Sequence, residues 1–81
     1  MTTLTVATCQ FPVSGDIGQN ADWIARQSAE AAAAGARVAH FPEGALSGYA
    51  GTDFTTFAGF DWTALHKATE HIQEHARELG I

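Results

Sequence analysis

The stretch "ARVAHFPEGALSGYAG", residues Ala36–Gly51, joins two segments of opposite character. Up to Phe41 it is short and apolar enough for a strand, whereas from Pro42 onward it is glycine-rich and opens on a carboxylate, Glu43. Gly35, just before it, supplies the left-handed residue that commonly ends a helix. Upstream of Gly35, between Asp16 and Ala34, apolar and small residues recur at helical spacing, with Ile17, Ala21, Ile24, Ser28 and Ala31 or Ala32 on one narrow face. Such a face lets a helix approach a sheet closely. Further back, "TLTVATCQF", Thr3–Phe11, carries β-branched and small apolar residues on both alternating faces, the pattern of a strand covered on both sides, and Pro12 stops it. Strand, helix and strand make a β-α-β unit.

Asp16 followed by Gln19 has the form of a capping box, while Gly18 inside that turn leaves a start near Asn20 equally open. A second helix is expected from about Asp61 to Leu79, where Leu65, Ala68, Thr69, Ile72, Ala76 and Leu79 recur at three- and four-residue steps. Asp61 or Thr63 caps its start, Gly80 ends it, and Ile81 reads as the first residue of another strand. Residues 43–59 form a connection longer than is ordinary in α/β units, and long ordered loops there tend to be functional. The fold class is therefore α/β, in the order β-α-β-loop-α.

At 81 residues and 46% apolar content the chain amounts to one small domain at most, with a core that is marginal by itself. Nine acidic residues against four basic ones leave a formal charge of −5 and no basic stripe to follow phosphates, so nucleic acid and anionic membrane are poor partners. The opening "MTTLTVATCQF" has neither a basic leader nor an apolar stretch long enough for a signal peptide or a membrane span, and the expected compartment is the cytoplasm. The single cysteine, Cys9, forms no internal disulfide and agrees with a reducing compartment.

Strands joined by a helical crossover run parallel, so Phe11-Pro12 and Pro42-Glu43 are expected to emerge at one carboxyl edge of the sheet, where open α/β sheets bind ligands. Pro42 fixes its own φ and biases Phe41 toward extended geometry, which places the carboxylate on a rigid stalk. With Phe41 and Leu46 as apolar neighbours, Glu43 is expected to have a raised proton affinity suited to a general base. On this context alone it reads equally as a carboxylate that caps a turn or pairs with a surface cation.

The run "VATCQFPVSGDIGQNADWIARQSAEAAAAGARVAHFPEGALSGY", followed by a helix ending "ATEHIQEHARELGI", resembles the amino-terminal part of the nitrilase-type carbon-nitrogen hydrolases over essentially the whole chain. The most specific element is "FPEGALSGY", the family's F-P-E-x-x-x-x-G-Y; "GDIGQN" and the "GA" before the second strand match in order and spacing. His40 departs mildly, at a position the family usually gives to an apolar residue. The resemblance implies that residues 1–81 are the incomplete opening of a four-layer α-β-β-α sandwich. It makes Glu43 the general base of a Glu-Lys-Cys constellation acting on a small-molecule amide or nitrile, with no metal or organic cofactor. Tyr49, the Gly-Tyr tyrosine, lines the pocket or anchors its loop through its hydroxyl. For the complete domain it implies homo-oligomers formed through the sandwich faces.

Neither the lysine nor the nucleophilic cysteine of that constellation has a matching motif in these residues, so the chain alone is expected to be inactive. Cys9 sits at a small apolar strand position with no cation to favour a thiolate, and Lys67 lies on the polar face of the second helix, so neither substitutes. A rival reading is "HIQEH", His71–His75, an H-x-x-E-H pattern that on a helix puts two histidines on one face, as in zinc-dependent peptidases. Against it, no distal third ligand is evident, and Glu70, Glu74, Arg77 and Glu78 give it the character of a solvated face. A third reading is a non-catalytic remnant serving as an assembly module. Nitrilases, amidases and amide-transferring relatives share this opening, so the residues do not name the substrate.

Overall fold

The computed structural model describes residues 2–81. Its elements are β1 (Val6–Thr8), α1 (Ile17–Ala33), β2 (Val38–His40) and α2 (Trp62–Leu79). β1 and β2 pair in parallel, Val6, Ala7 and Thr8 lying opposite Val38, Ala39 and His40. Parallel neighbours require a crossover, and α1 supplies it. The β-α-β-loop-α order expected from the sequence is the order observed. Regular pairing is shorter than Thr3–Phe11 suggests, ending with the Arg37 N–H on the Thr5 carbonyl and the Cys9 N–H on the His40 carbonyl, each at 2.8 Å. The sheet has two strands, so residues beyond the paired ones have no neighbour to hold them extended.

Local chemistry sets the helix ends. Asp16 has extended geometry and its carboxylate accepts the Gln19 N–H at 3.0 Å, which starts α1 at Ile17 and removes the later start near Asn20. The return arm of a capping box is replaced by Ser14, whose Oγ accepts the Asp16 N–H at 3.1 Å. At the far end the Gly35 N–H donates to the Ala32 carbonyl and the Ala36 N–H to the Ala31 carbonyl, both at 3.0 Å, the paired bonds of a Schellman motif. α2 repeats the scheme, with Asp61 rather than Thr63 accepting the Ala64 N–H at 2.9 Å and Ile81 N–H returning to the Ala76 carbonyl at 3.1 Å.

α1 packs against both β2 and α2 and therefore uses two faces. Asn20, Ile24, Ser28 and Ala31 form its buried stripe. Ile17 and Ala21, expected on that same stripe, instead line a groove with Ala64, Ala68 and Ile72 of α2. On α2 the half-buried residues are Ala64, Leu65, Ala68, Ile72, His75, Ala76 and Leu79. Thr69 is a correction: it is exposed, and its hydroxyl donates to the Leu65 carbonyl at 2.8 Å. Coverage of the sheet on both sides is another. Ala7 and Cys9 share a surface with Gln27 and Ala31 of α1, but Leu4, Val6 and Val38 are 64%, 50% and 41% exposed. α1 covers one face, and α2 packs on α1 rather than on the sheet. Among the described residues no helix is long and apolar enough to cross a membrane.

Candidate functional site

The two strands deliver their next residues to the same edge. Phe41, leaving β2, meets Phe11, leaving β1, edge-on at a centroid distance of 6.3 Å, and Phe11 stacks on Trp23 of α1 at 6.0 Å. The Arg26 guanidinium covers the Trp23 ring at 4.7 Å. These aromatic contacts fix the direction in which Pro42 and Glu43 depart. Beyond Glu43 the chain reverses, with the Ala45 N–H on the Pro42 carbonyl at 3.1 Å and the Gly48 N–H on the Gly44 carbonyl at 2.8 Å. Gly48 has φ +84°, and a Cβ built on it would stand 2.7 Å from the Ser14 carbonyl oxygen. No larger residue fits that approach.

Glu43 is exposed at this edge, and among the described residues its carboxylate has neither a hydrogen bond nor an ion pair. The apolar enclosure expected from Phe41 and Leu46 is therefore not formed. Phe41 and Leu46 are each half-buried, while the carboxylate between them in sequence stays open to water. Tyr49 lies close by: its Cε1 stands 3.1 Å from where a Gly44 Cβ would be, so the ring rests on the residue that follows Glu43. The Tyr49 N–H donates to Asp53 Oδ2 at 2.7 Å and its carbonyl accepts the Asp53 N–H at 2.8 Å. Its loop is thus anchored through backbone, and its hydroxyl has no partner among the described residues.

Sequence reasoning missed Asn20. This side chain is completely buried. Its Oδ1 accepts the Ser14 N–H at 3.0 Å, and its Nδ2 donates to the carbonyls of Ser14 at 2.8 Å and Leu46 at 3.0 Å. One amide thereby joins the segment after β1 to the turn after Glu43. The signal that pointed to it is the register 20, 24, 28, 31, which puts Asn20 above Ile24 and Ser28 on one helical stripe. An aromatic cluster of Phe54, Phe57, Phe60 and Trp62, with centroid distances of 4.7–5.8 Å, was equally unseen and closes the long loop before α2.

The remaining candidates stay apart from this edge chemistry. Cys9 is a free, half-buried thiol whose Sγ lies 3.8 Å from the Ala7 carbonyl. Lys67 is exposed on α2, beside the interhelical groove. In "HIQEH", His71 is exposed, whereas His75 is half-buried and its Nε2 lies 3.0 Å from the Ala25 carbonyl of α1, which corrects the reading of that face as wholly solvated. Glu74 is paired with Arg77 through two of the three guanidinium nitrogens, Nε at 3.1 Å and Nη2, and this hydrogen bonding raises the Arg77 pKa above its usual value. Among the described residues no three His, Cys, Asp or Glu side chains lie together as a metal ion requires.

A parallel β-α-β unit with an acidic residue at the carboxyl edge, followed by a long loop and a second helix, is compatible with the opening segment of an α/β domain. The family model for carbon-nitrogen hydrolases matches residues 5–81, and the chain belongs to that family. No curated protein and no solved structure matches it.

Proposed function

We propose that this chain contributes the general base, Glu43, to a hydrolase of non-peptide carbon-nitrogen bonds in amides or nitriles. What supports the reading is one placement: within the family match, Glu43 stands unpaired and exposed at the carboxyl edge of the parallel strands. A base must be free to reach a proton, and a carboxylate engaged in capping or a salt bridge is not. The constellation is completed by a lysine and a cysteine that residues 1–81 do not supply by motif. The uncovered Leu4, Val6 and Val38 suit a sheet that packs on a second one, as the four-layer sandwich requires.

For an amide, Glu43 takes the thiol proton as the thiolate sulfur bonds to the carbonyl carbon, and the lysine ammonium stabilises the oxyanion. Glu43 then gives that proton to the nitrogen, the carbon-nitrogen bond breaks, and the amine leaves a thioester. Water attacks the thioester while Glu43 accepts its proton, and the acid departs as the proton returns to the sulfur. Tyr49, whose ring rests on Gly44, lines the approach to the carboxylate.

The test is Glu43→Gln in the complete gene product, assayed by ammonia release. The side chains are isosteric, so the fold is expected to persist while turnover falls roughly a hundredfold or more. Near-wild-type turnover in a folded variant would refute Glu43 as base.

A further inference from the structure

We infer that Asn20 is a positioning residue for Glu43, an assignment that rests on the reading of Glu43 as base. The carboxylate has no partner of its own among the described residues, so its location is set by the backbone on either side. Upstream, the Phe41–Phe11 contact holds the exit of β2. Downstream, the turn could swing away from the sheet edge, and what ties it down is the Asn20 Nδ2 bond to the Leu46 carbonyl at 3.0 Å. Gly48 adds a second point of contact with the same segment, since its Cα has room against the Ser14 carbonyl only without a side chain.

The chemistry at position 20 is specific. A primary amide offers two donors and an acceptor in one plane, and this site uses all three: two carbonyls and one N–H from two separate segments. Aspartate has the same shape but no N–H, and would set a charged oxygen against the carbonyls of Ser14 and Leu46. Serine is too short to bridge both. An alanine would leave those groups without partners at a site where Asn20 is 0% exposed. The bridge spans 26 residues of sequence between Asn20 and Leu46 and closes within three residues of Glu43. Freed from it, the turn shifts and carries the carboxylate out of reach of the proton it must take, a displacement that costs rate and not substrate affinity.

The experiment uses the complete gene product with propionamide, benzonitrile and N-carbamoyl-β-alanine as probes, ammonia release as readout, and rates expressed per folded molecule from circular dichroism. On the fastest probe, Asn20→Asp is expected to lower kcat about tenfold with KM within about twofold. In a Glu43→Gln background the same substitution should lower the residual rate by less than about twofold, because a positioning residue has nothing left to position. Asn20→Ser is the second variant and should behave alike. Wild-type kcat in folded Asn20→Asp, alongside a crippled Glu43→Gln, would overturn the inference and leave the base intact. Equal losses in both backgrounds, or failure of both Asn20 variants to fold, would overturn it by assigning Asn20 to the fold alone. Full activity of Glu43→Gln, or a wild-type protein that releases ammonia from none of the probes, would instead remove the reading beneath it.

Discussion

At the scale of single residues, two glycines with nearly the same φ separate conformational from steric demands. Gly48 and Gly51 have φ of +84° and +88°, yet a Cβ at 48 would lie 2.7 Å from the Ser14 oxygen while one at 51 meets nothing within 4 Å. Gly51→Ala should cost only the left-handed penalty, about 1–2 kcal/mol. Gly48→Ala adds a backbone clash that no side-chain rotation relieves, and should cost at least ~2 kcal/mol more. Urea midpoints of the two variants of the complete protein measure the difference. Equal midpoints would mean that the Ser14 segment moves freely, and the approach between it and the Glu43 turn would then be loose.

At the scale of elements, the two helices differ in what holds them. α1 buries Ile24 and Ala31, but α2 has no fully buried residue and depends more on its ends. Asp61→Ala removes the acceptor of the Ala64 N–H and should destabilise α2 by about 1 kcal/mol. Faster hydrogen exchange at the first-turn amides, with α1 unchanged, is the expected signature. The same helix carries "HIQEH", where His75 faces the Ala25 carbonyl and Glu74 is held by Arg77. Titration calorimetry with zinc should therefore show no one-to-one, sub-micromolar binding that His71→Ala abolishes. Such binding would restore the peptidase reading.

At the scale of the whole molecule, the buried apolar residues among those described are Ile24, Ala31, Ala36 and Ala45, three of them alanines. The accessible surface is 5517 Å², against about 4,700 Å² for a compact monomer of 8.6 kDa. The shape is drawn out to 50 × 22 × 18 Å. Val6 and Val38 on the sheet, Leu4 just before it, Phe57 in the long loop and Trp62 at the start of α2 remain open to water. Residues 1–81 alone should therefore melt broadly or self-associate, and should release no ammonia from amides or nitriles. A sharp two-state transition from a dilute monomer, followed by light scattering and circular dichroism, would show a core stronger than these four residues provide.

How much was legible follows the range of the forces involved. Asp16, Gly35, Asp61 and Gly80 act within a few residues of themselves, so three of the four helix limits could be read closely from the chain, while Gly18 left the start of α1 open between Asp16 and Asn20. The parallel pairing was equally legible, since a strand, a helix and a strand of these lengths close in that way. Pro42-Glu43 at the carboxyl edge followed from that topology alone. What periodicity could not decide was which face of α1 meets β2 and which meets α2, because alanine and glycine at 18, 21 and 25 suit either. Nor could it show Thr69 turned outward, His75 turned inward, or Asn20 reaching Leu46 across the fold. Those contacts join residues distant in the chain, and only packing brings their donors and acceptors within reach. By itself the sequence determined the elements, their order and the position of the carboxylate; tertiary structure decided what surrounds it, because burial and hydrogen-bond partnership belong to segments brought together in space.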